Sequence, residues 1–303
     1  MMINDLTVSA PSQKNNIVVF FLRGPAVAQH YINLSDGLEK KLVTIKEKDE
    51  KLNINFLKIN NQAAANLLLL NGEHISGYRL KQNRIVARSI IVKGKSEALI
   101  RVRCAEKKRW SHLINNELKT SDSLFFAREH LMRSQARVWS SIEQQYEQYN
   151  IKSFTLSAEA IYLKRKKLID NFVDFFKPPQ GTIGLALGDR YQINSLDLFS
   201  DSNCFQTYYK KILRGYAIEN LKNINYTSSL VPDDVHKFMY YIKKSNKLAL
   251  KNEEGTLGKK FLLQSDQIVG SILYRDKTVI HCAAFVNSNL KEFPESDKDY
   301  KVA

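Results

Sequence analysis

Glutamates, arginines, side-chain amides and a tryptophan that could form a ligand site are concentrated between residues 71 and 110. They fall into three polar clusters separated by apolar runs, each about as long as a buried strand. The clusters are Asn71-Gly72-Glu73-His74, Lys81-Gln82-Asn83-Arg84 and Cys104-Ala105-Glu106-Lys107-Lys108-Arg109-Trp110. Polar groups held at strand ends can converge on one pocket. The stretch therefore predicts a shared site, or else the ion pairs Glu73–Arg84 and Glu106–Arg109, which would only stabilise the fold.

Two other residues in this stretch are weaker candidates for chemistry. Cys104 has no sequence signature that pairs it with a histidine, so it is most simply a small buried hydrophobe. His74 follows Glu73 directly, and in a strand the two side chains would point to opposite faces of the sheet. Neither residue is therefore assigned a catalytic role.

Composition limits the class of protein. The 303 residues, 44% of them hydrophobic, suffice for one large or two ordinary domains. No run of about 18 apolar residues occurs, so no membrane helix is predicted, and the N-terminus has no secretory apolar segment. The three cysteines, Cys104, Cys204 and Cys282, are too widely spaced for a disulfide framework or a zinc ribbon. We therefore expect a reducing compartment, of which the cytoplasm is the simplest.

The charge favours an anionic partner. The formal net charge is +15 and the pI is near 9.5, which suits a polyanion or an acidic metabolite. The basic residues are spread along the chain, and no RNA-recognition, helix-turn-helix or zinc-finger signature is present. Nucleic acid is therefore the less favoured of the two partners.

The first hundred residues have the patterns of a mostly antiparallel or mixed sheet. A short helix near residues 35–41 has Ser35 as its candidate cap, Asn71-Gly72 marks a turn, and Lys93-Gly94-Lys95 predicts a tight connection between two paired strands. The predicted strands are 16–22, 42–45, 52–59, 65–70, 85–92 and 98–102.

Helical spacing appears after Trp110. A hairpin with a two-residue turn at Gly188-Asp189 interrupts the helices. The glycines around it do not form a phosphate loop, because no Gly-Lys-Ser/Thr follows. The predicted helices are 121–149, 157–176, 204–221 and 232–250, the hairpin strands are 182–187 and 191–196, and the closing strands are 261–263, 268–274 and 279–285.

These patterns predict an α+β fold. It would comprise a mostly antiparallel or mixed N-terminal sheet, central helices, a β-hairpin and closing C-terminal strands. We expect a flexible N-terminus over residues 1–16, a single domain over 17–286 and a disordered polar tail over 287–303.

Several motifs, taken in order, resemble the signature of the ARPP domain family, whose name refers to its association with ADP-ribosylglycohydrolase-like and rhodanese-phosphatase modules. The resemblance covers about residues 17–285. The motifs are Leu69-Leu70-Asn71-Gly72-Glu73 with Gly77 and Lys81-Gln82-Asn83-Arg84, Cys104-Ala105-Glu106 with Arg109-Trp110, Gln135-x-x-Val138-Trp139, Leu196-Asp197-Leu198-Phe199, the helix with Leu213 and Tyr216, Val269-Gly270-Ser271 and Val279-Ile280-His281.

The chain departs from the family pattern at three places. The piece between Gly77 and Lys81 is about two residues longer than usual. The stretch between Trp110 and Gln135 is shorter and lacks a basic, Ser-rich loop, and Arg137 stands where an acidic residue is common. If that loop carries catalysis in relatives, this chain is a binder or has a changed substrate.

The family's associations imply the metabolism of NAD, ADP-ribose or a related ribosylated nucleotide. Glu73 and Glu106 would then be the catalytic pair, one as general base and the other as acid or as stabiliser of a cationic ribosyl centre. The pair could instead hold a divalent cation. The implied ligand-binding residues are Gln82, Asn83, Arg84, Arg109, Trp110, Gln135 and Trp139.

The ligand-binding residues have matching chemistry. Arginine forks onto phosphate oxygens, amides suit sugar hydroxyls, and Trp110 could stack on a base or ribose. Trp139 has core packing as its alternative. The competing functions are a noncatalytic nucleotide sensor and a basic protein that binds nucleic acid or a protein partner. The sequence predicts no oligomeric state.

Overall fold

The computed structural model describes residues 5–47, 55–77, 80–108, 117–222, 224 and 227–287. Helices and antiparallel or mixed sheets alternate along the chain, so the α+β fold is confirmed. The helices are α1 Leu34–Glu39, α2 Gln135–Gln148, α3 Ala158–Val173, α4 Ser202–Asn220 and α5 Pro232–Lys244, with a 3₁₀-helix at Arg128–Met132. The strands are β1 Thr7–Val8, β2 Ser12–Lys14, β3 Ile17–Arg23, β4 Tyr31–Asn33, β5 Val43–Glu47, β6 Phe56–Asn61, β7 Asn66–Leu69, β8 Glu73–Ser76, β9 Arg84–Val86, β10 Ile90–Val92, β11 Ser96–Cys104, β12 Lys119–Leu124, β13 Thr182–Gly188, β14 Ile193–Phe199, β15 Asn246–Ala249, β16 Thr256–Leu257, β17 Lys259–Gln264, β18 Ile268–Arg275 and β19 Thr278–Val286.

The described residues divide into two compact units. The first unit takes its described residues from within 1–29, 167–251 and 258–303, and the second takes its described residues from within 30–166 and 252–257. The single domain over 17–286 stays a prediction. None of the helices in the described part of the chain is long and apolar enough to cross a membrane.

The first unit is built on a nine-stranded antiparallel sheet. Its strand order is β1-β3-β13-β14-β19-β18-β17-β15, and β2 also pairs with β3. Residues 1–16, for which the sequence predicts a flexible N-terminus, thus contain two short paired strands. The predicted hairpin is confirmed as β13 and β14, but the two-residue turn is wrong. Residues 189–192 form the connection, because the Asp189 carboxylate accepts from the backbone N–H groups of Tyr191 and Gln192.

Helix α5 covers one face of this sheet. Its Val235, Phe238 and Met239 belong to the same apolar cluster as Leu196 and Leu198 of β14. Acidic residues in its first turn and lysines in its last turn complement the helix dipole. The prediction that the helix runs to residue 250 is wrong, because the chain leaves at Lys244 and pairs β15 with β17.

The second unit contains two smaller sheets. A four-stranded sheet has the order β16-β10-β7-β4, and a six-stranded sheet has the order β12-β8-β9-β11-β6-β5. Strand β7 is interior, as predicted, and its pairing with β4 is parallel. Apolar residues from both sheets form one cluster, which includes Leu67, Val92, Ile100 and Val102.

The predicted pairing of strands 85–92 and 98–102 is confirmed for β9, which pairs antiparallel with β11, but it is wrong for β10. The first run divides into β9 and β10, and β10 enters a different sheet from β11. The Ser89 hydroxyl in the break accepts a bond from the Asn71 N–H at 3.0 Å, and the Ala87 N–H binds Arg101 O at 3.1 Å. Tertiary hydrogen bonds therefore outweigh the continuous apolar pattern.

The predicted helix over 121–149 is correct only in its second half. Residues Lys119–Leu124 form β12 against β8, and α2 begins after Ser134, whose hydroxyl caps it by accepting from the Arg137 N–H. Similarly, α1 is capped by Asn33 rather than by Ser35.

Candidate functional site

The Asn71-Gly72 turn positions Glu73 inside the second unit. Gly72 has a φ of +94°, a conformation that favours glycine, and its N–H binds Val86 O at 2.8 Å. Glu73 is 1% exposed, and its Oε2 accepts from the Leu70 N–H at 2.9 Å. His74 lies on the opposite face of β8, where its ring is 6.0 Å from that of Phe125. The two neighbours therefore do not act together.

Arg84 occupies the centre of a buried polar group. Its Nη2 donates to Glu47 Oε1 at 3.0 Å and its Nη1 to Gln82 Oε1 at 3.4 Å. The guanidinium is almost fully buried, whereas the Glu47 side chain is 18% exposed. The alternative pairing of Glu73 with Arg84 is wrong, because Glu47 holds the arginine.

Glu106 lies immediately beyond β11, close to the same group. Its Oε2 accepts from the Asn83 N–H at 3.0 Å. Its main chain forms an antiparallel bridge with Ser157, and the Ala158 N–H binds Ala105 O at 3.0 Å. The residues preceding α3 are thereby fixed beside Glu106.

Glu159, in the first turn of α3, is a candidate that the sequence alone did not reveal. Lys119 approaches it at 3.9 Å. Burial raises the pKa of the Glu159 carboxyl, and the nearby charge of Glu106 raises it further, against the lowering effect of Lys119. Its only signal in the sequence is an acidic residue near the predicted start of a helix, which normally indicates no more than a favourable interaction with the helix dipole.

The predicted wall residues on α2 have different environments. The Gln135 side chain binds the main chain of Cys104 twice, since Oε1 accepts from its N–H at 2.8 Å and Nε2 donates to its carbonyl at 3.0 Å. Trp139, one turn later, is half-buried. Its ligand-binding role and that of Gln135 stay predictions.

Among the described residues of this unit, three further arginines are buried, and the sequence did not single them out. Arg103 donates to the carbonyl oxygens of Leu131 and Arg133, at 3.3 and 2.9 Å. Arg128 donates through Nε and Nη2 to Asn71 Oδ1, at 2.9 and 2.6 Å. Arg133 itself is 5% exposed.

Several buried polar atoms of this unit have no hydrogen-bond partner within the described part of the chain. Most are N–H donors, and an unsatisfied buried donor costs about 1–3 kcal/mol. They include Asn71 Nδ2, Gln82 Nε2, Arg84 Nε, Trp139 Nε1 and the acceptor Gln145 Oε1. A ligand rich in oxygen acceptors would satisfy the donors.

Strand register relates these residues to one another. Arg84 is directly opposite Ile75 of β8 and Cys104 of β11. Because side chains alternate along a strand, Glu73 shares the face of β8 that carries Ile75. The structure thus joins Gln82, Asn83, Arg84 and Glu106 in one group, here called the polar cluster together with Glu47 and Glu159. Glu73 lies on the neighbouring strand.

Two predicted ligand residues, Arg109 and Trp110, lie outside the described residues. Among the residues that are described, no group of three or more His, Cys, Asp or Glu side chains has the geometry to hold a metal ion. Burial raises the pKa of the Cys104 thiol, which favours the neutral form over the nucleophilic thiolate.

The comparison with known families agrees with the motifs. No curated protein and no solved structure gave a significant match. The model of the ARPP-1 family, the ARG and Rhodanese-Phosphatase-superfamily-associated Protein domain, matches residues 5–285. Since that match spans nearly the whole chain, the protein belongs to the ARPP-1 family.

Proposed function

We propose that the chain binds and processes a nucleotide-type ligand related to NAD or ADP-ribose, and that the polar cluster and the buried arginines of the second unit form its site. The main observation behind this proposal is that buried cationic and N–H donor groups outnumber the buried carboxylates. Among the described residues of this unit, four arginines but only two glutamates are buried. Such an interior favours an anionic ligand rich in oxygen.

The chemistry of the donors supports a phosphorylated sugar over a simple anion. Arg84 retains a free Nε–H beside its contacts with Glu47 and Gln82, and guanidinium groups bind phosphate in a directed way. The unpartnered N–H groups of Gln82 and Asn71 match hydroxyl or carbonyl oxygens. The family's association with ADP-ribosylglycohydrolase-type proteins supports the same ligand class.

Calorimetric titration of the full chain with ADP-ribose, NAD, AMP and ribose 5-phosphate tests binding. We expect saturable binding of at least the first two. Arg84→Met removes a charged donor and should raise Kd roughly 10- to 100-fold. The matched control is Arg275→Met. Arg275 lies in the first unit, away from the proposed site, and its ion pair is with the exposed Asp276. Equal affinity of both variants and the wild type would contradict the proposed site.

Mass spectrometry of the same mixtures tests processing. Glu73→Gln and Glu106→Gln should abolish conversion while binding survives, because each variant keeps a side-chain oxygen that can accept the backbone N–H. Full activity in both variants would contradict the catalytic assignment. Tight binding without conversion by the wild type would indicate a sensor.

A further inference from the structure

A second carboxylate is held next to Glu106 by the backbone, and it is not part of the Glu73–Glu106 pair. The bridge between Glu106 and Ser157 and the bond from the Ala158 N–H to Ala105 O place the start of α3 alongside the end of β11. Glu159 follows two residues after the bridge. The main chain therefore holds the two acidic residues near each other, and the charge of Glu106 acts on the Glu159 carboxyl.

The surroundings of the two carboxylates differ. Glu106 is 3% exposed and accepts a backbone N–H, a contact that suits the charged form. Glu159 has an exposed lysine at 3.9 Å, at the edge of ion-pair distance, and a hydrogen bond with the Ser76 hydroxyl. Burial, with the charges of Glu106 and Asp122, outweighs the lysine and the Ser76 hydroxyl, so the pKa of Glu159 is raised. Pairs of carboxyl groups with unlike surroundings typically divide the acid and base roles.

A buried donor in the same cluster points to a missing ligand. Gln82 is fully buried, its Oε1 is held by Arg84, and its Nε2 has no partner in the described part of the chain. Gln82 directly precedes Asn83, whose N–H binds Glu106. An oxygen of a bound sugar would satisfy this amide beside the carboxylates.

We propose that Glu159 is a further catalytic residue of the site, the general acid that protonates the leaving oxygen of a ribosyl–oxygen bond, while Glu106 accepts a proton from the attacking water. This inference rests on the proposed function. It also narrows the substrate class. An alkoxide is a poor leaving group and needs a proton, whereas nicotinamide leaves as a neutral molecule and does not.

The step balances without an oxidant or a metal. The water oxygen bonds to the anomeric carbon as the bond from that carbon to the leaving oxygen breaks. The electron pair of the broken bond stays on the leaving oxygen, which takes the proton of Glu159. Glu106 receives the proton released by the water, and proton exchange with solvent restores both groups.

Leaving-group dependence is the direct test. The probes are the methyl and 4-nitrophenyl glycosides of ADP-ribose. The methyl glycoside has a poor leaving group that needs a proton, whereas 4-nitrophenolate leaves readily without one. Glu159→Gln should slow hydrolysis of the methyl glycoside about 100-fold or more and that of the nitrophenyl glycoside only a few-fold. The basic limb of the pH–rate profile should disappear. Glu143→Gln, an exposed carboxylate paired with Lys107, is the matched control and should leave both rates unchanged.

The outcomes separate the inference from the proposed function. Equal losses for the two glycosides would overturn the general-acid role, and so would wild-type binding of ADP-ribose without hydrolysis of either probe, which leaves the binding proposal intact. Absence of both binding and hydrolysis would overturn the proposed function and the inference with it.

Carboxyl NMR titration tests the pairing without turnover. In protein labelled with ¹³C at the glutamate carboxyl carbons, Glu106→Gln should lower the pKa of Glu159 and Lys119→Met should raise it, because these charges have opposite effects. A pKa of Glu159 that neither substitution changes would overturn the proposal.

Discussion

The two units place polar side chains in their interiors in different ways. In the first unit, His281 Nε2 and Asp197 Oδ1 are 3.1 Å apart with both side chains fully buried, and Asp201 caps α4 by accepting two backbone N–H groups. In the described part of this unit, no buried side-chain polar atom lacks a partner. The second unit instead buries several arginines and leaves N–H donors of Asn71, Gln82 and Arg84 unpartnered.

The difference indicates that the polar groups inside the first unit stabilise the fold, whereas those inside the second unit are suited to a ligand. A satisfied buried pair rigidifies a core, whereas a partly satisfied polar group is destabilising unless something else completes it. Local rules are broken most often at functional sites. The second unit is therefore where we expect a ligand, and the following predictions test that contrast.

The largest expected effect is on the stability of the first unit. His281→Leu leaves the Asp197 carboxylate buried without its imidazole partner, so the free energy of unfolding should fall by roughly 3 kcal/mol. The double variant Asp197→Leu/His281→Leu removes both polar partners and should recover much of the loss. Urea denaturation measures both. A loss under 1 kcal/mol in the single variant would show that the pair is not a stabilising element.

The next effect concerns Gln135 in the second unit. Gln135→Ala removes both side-chain bonds to the Cys104 main chain, so stability should fall by about 2 kcal/mol. Gln148→Ala, on the exposed side of the same helix, is the control and should change stability little. If the Gln135 variant instead keeps its stability and loses nucleotide affinity, the predicted ligand-binding role is the correct one.

A smaller effect is the pH dependence caused by Glu159. Its folded-state pKa lies above the unfolded value, so its contribution to stability is full at low pH and is lost as pH rises through the folded pKa. Glu159→Gln does not titrate. The free energy of unfolding of this variant, relative to wild type, should therefore increase as pH rises from the unfolded to the folded pKa of Glu159 and then level off. A difference that is constant with pH would contradict the raised pKa.

The smallest expected signal is the reactivity of the cysteines. Burial raises the pKa of Cys204 and Cys282 to about 12, which leaves about one thiolate in ten thousand thiols at pH 8. Native protein should therefore react with iodoacetamide far more slowly than denatured protein, as mass spectrometry can follow. Rapid native labelling of Cys204 in α4 or of Cys282 in β19 would show that the first unit opens readily around that residue.

Features set by local residue patterns could be predicted from the sequence. The β13–β14 hairpin, α3 and the closing strands each follow from an apolar period within one segment. The sequence also predicted that Gln82, Asn83, Arg84 and Glu106 would cluster. The family motifs predicted that these residues lie together, but they did not predict which hydrogen bonds the residues form.

Features set by contacts between distant segments could not be predicted. Strand β12 pairs with β8 through residues that have a helical spacing of their own. Glu47 replaces Glu73 as the partner of Arg84, and the main-chain bridge between Glu106 and Ser157 brings the start of α3, with Glu159, near Glu106. In each case the deciding interaction joins residues far apart in the chain, so the periodicity of neighbouring residues contains no sign of it.

Hydrogen exchange of the full chain, with and without saturating ADP-ribose, tests the contrast between the units most directly. The ligand should slow amide exchange in residues 70–76, 82–86 and 103–106 and at the start of α3, while exchange in β13, β14, β18 and β19 stays unchanged. Protection confined to the strands of the first unit, or no protection at saturating ligand, would contradict the assignment of the site to the polar interior of the second unit.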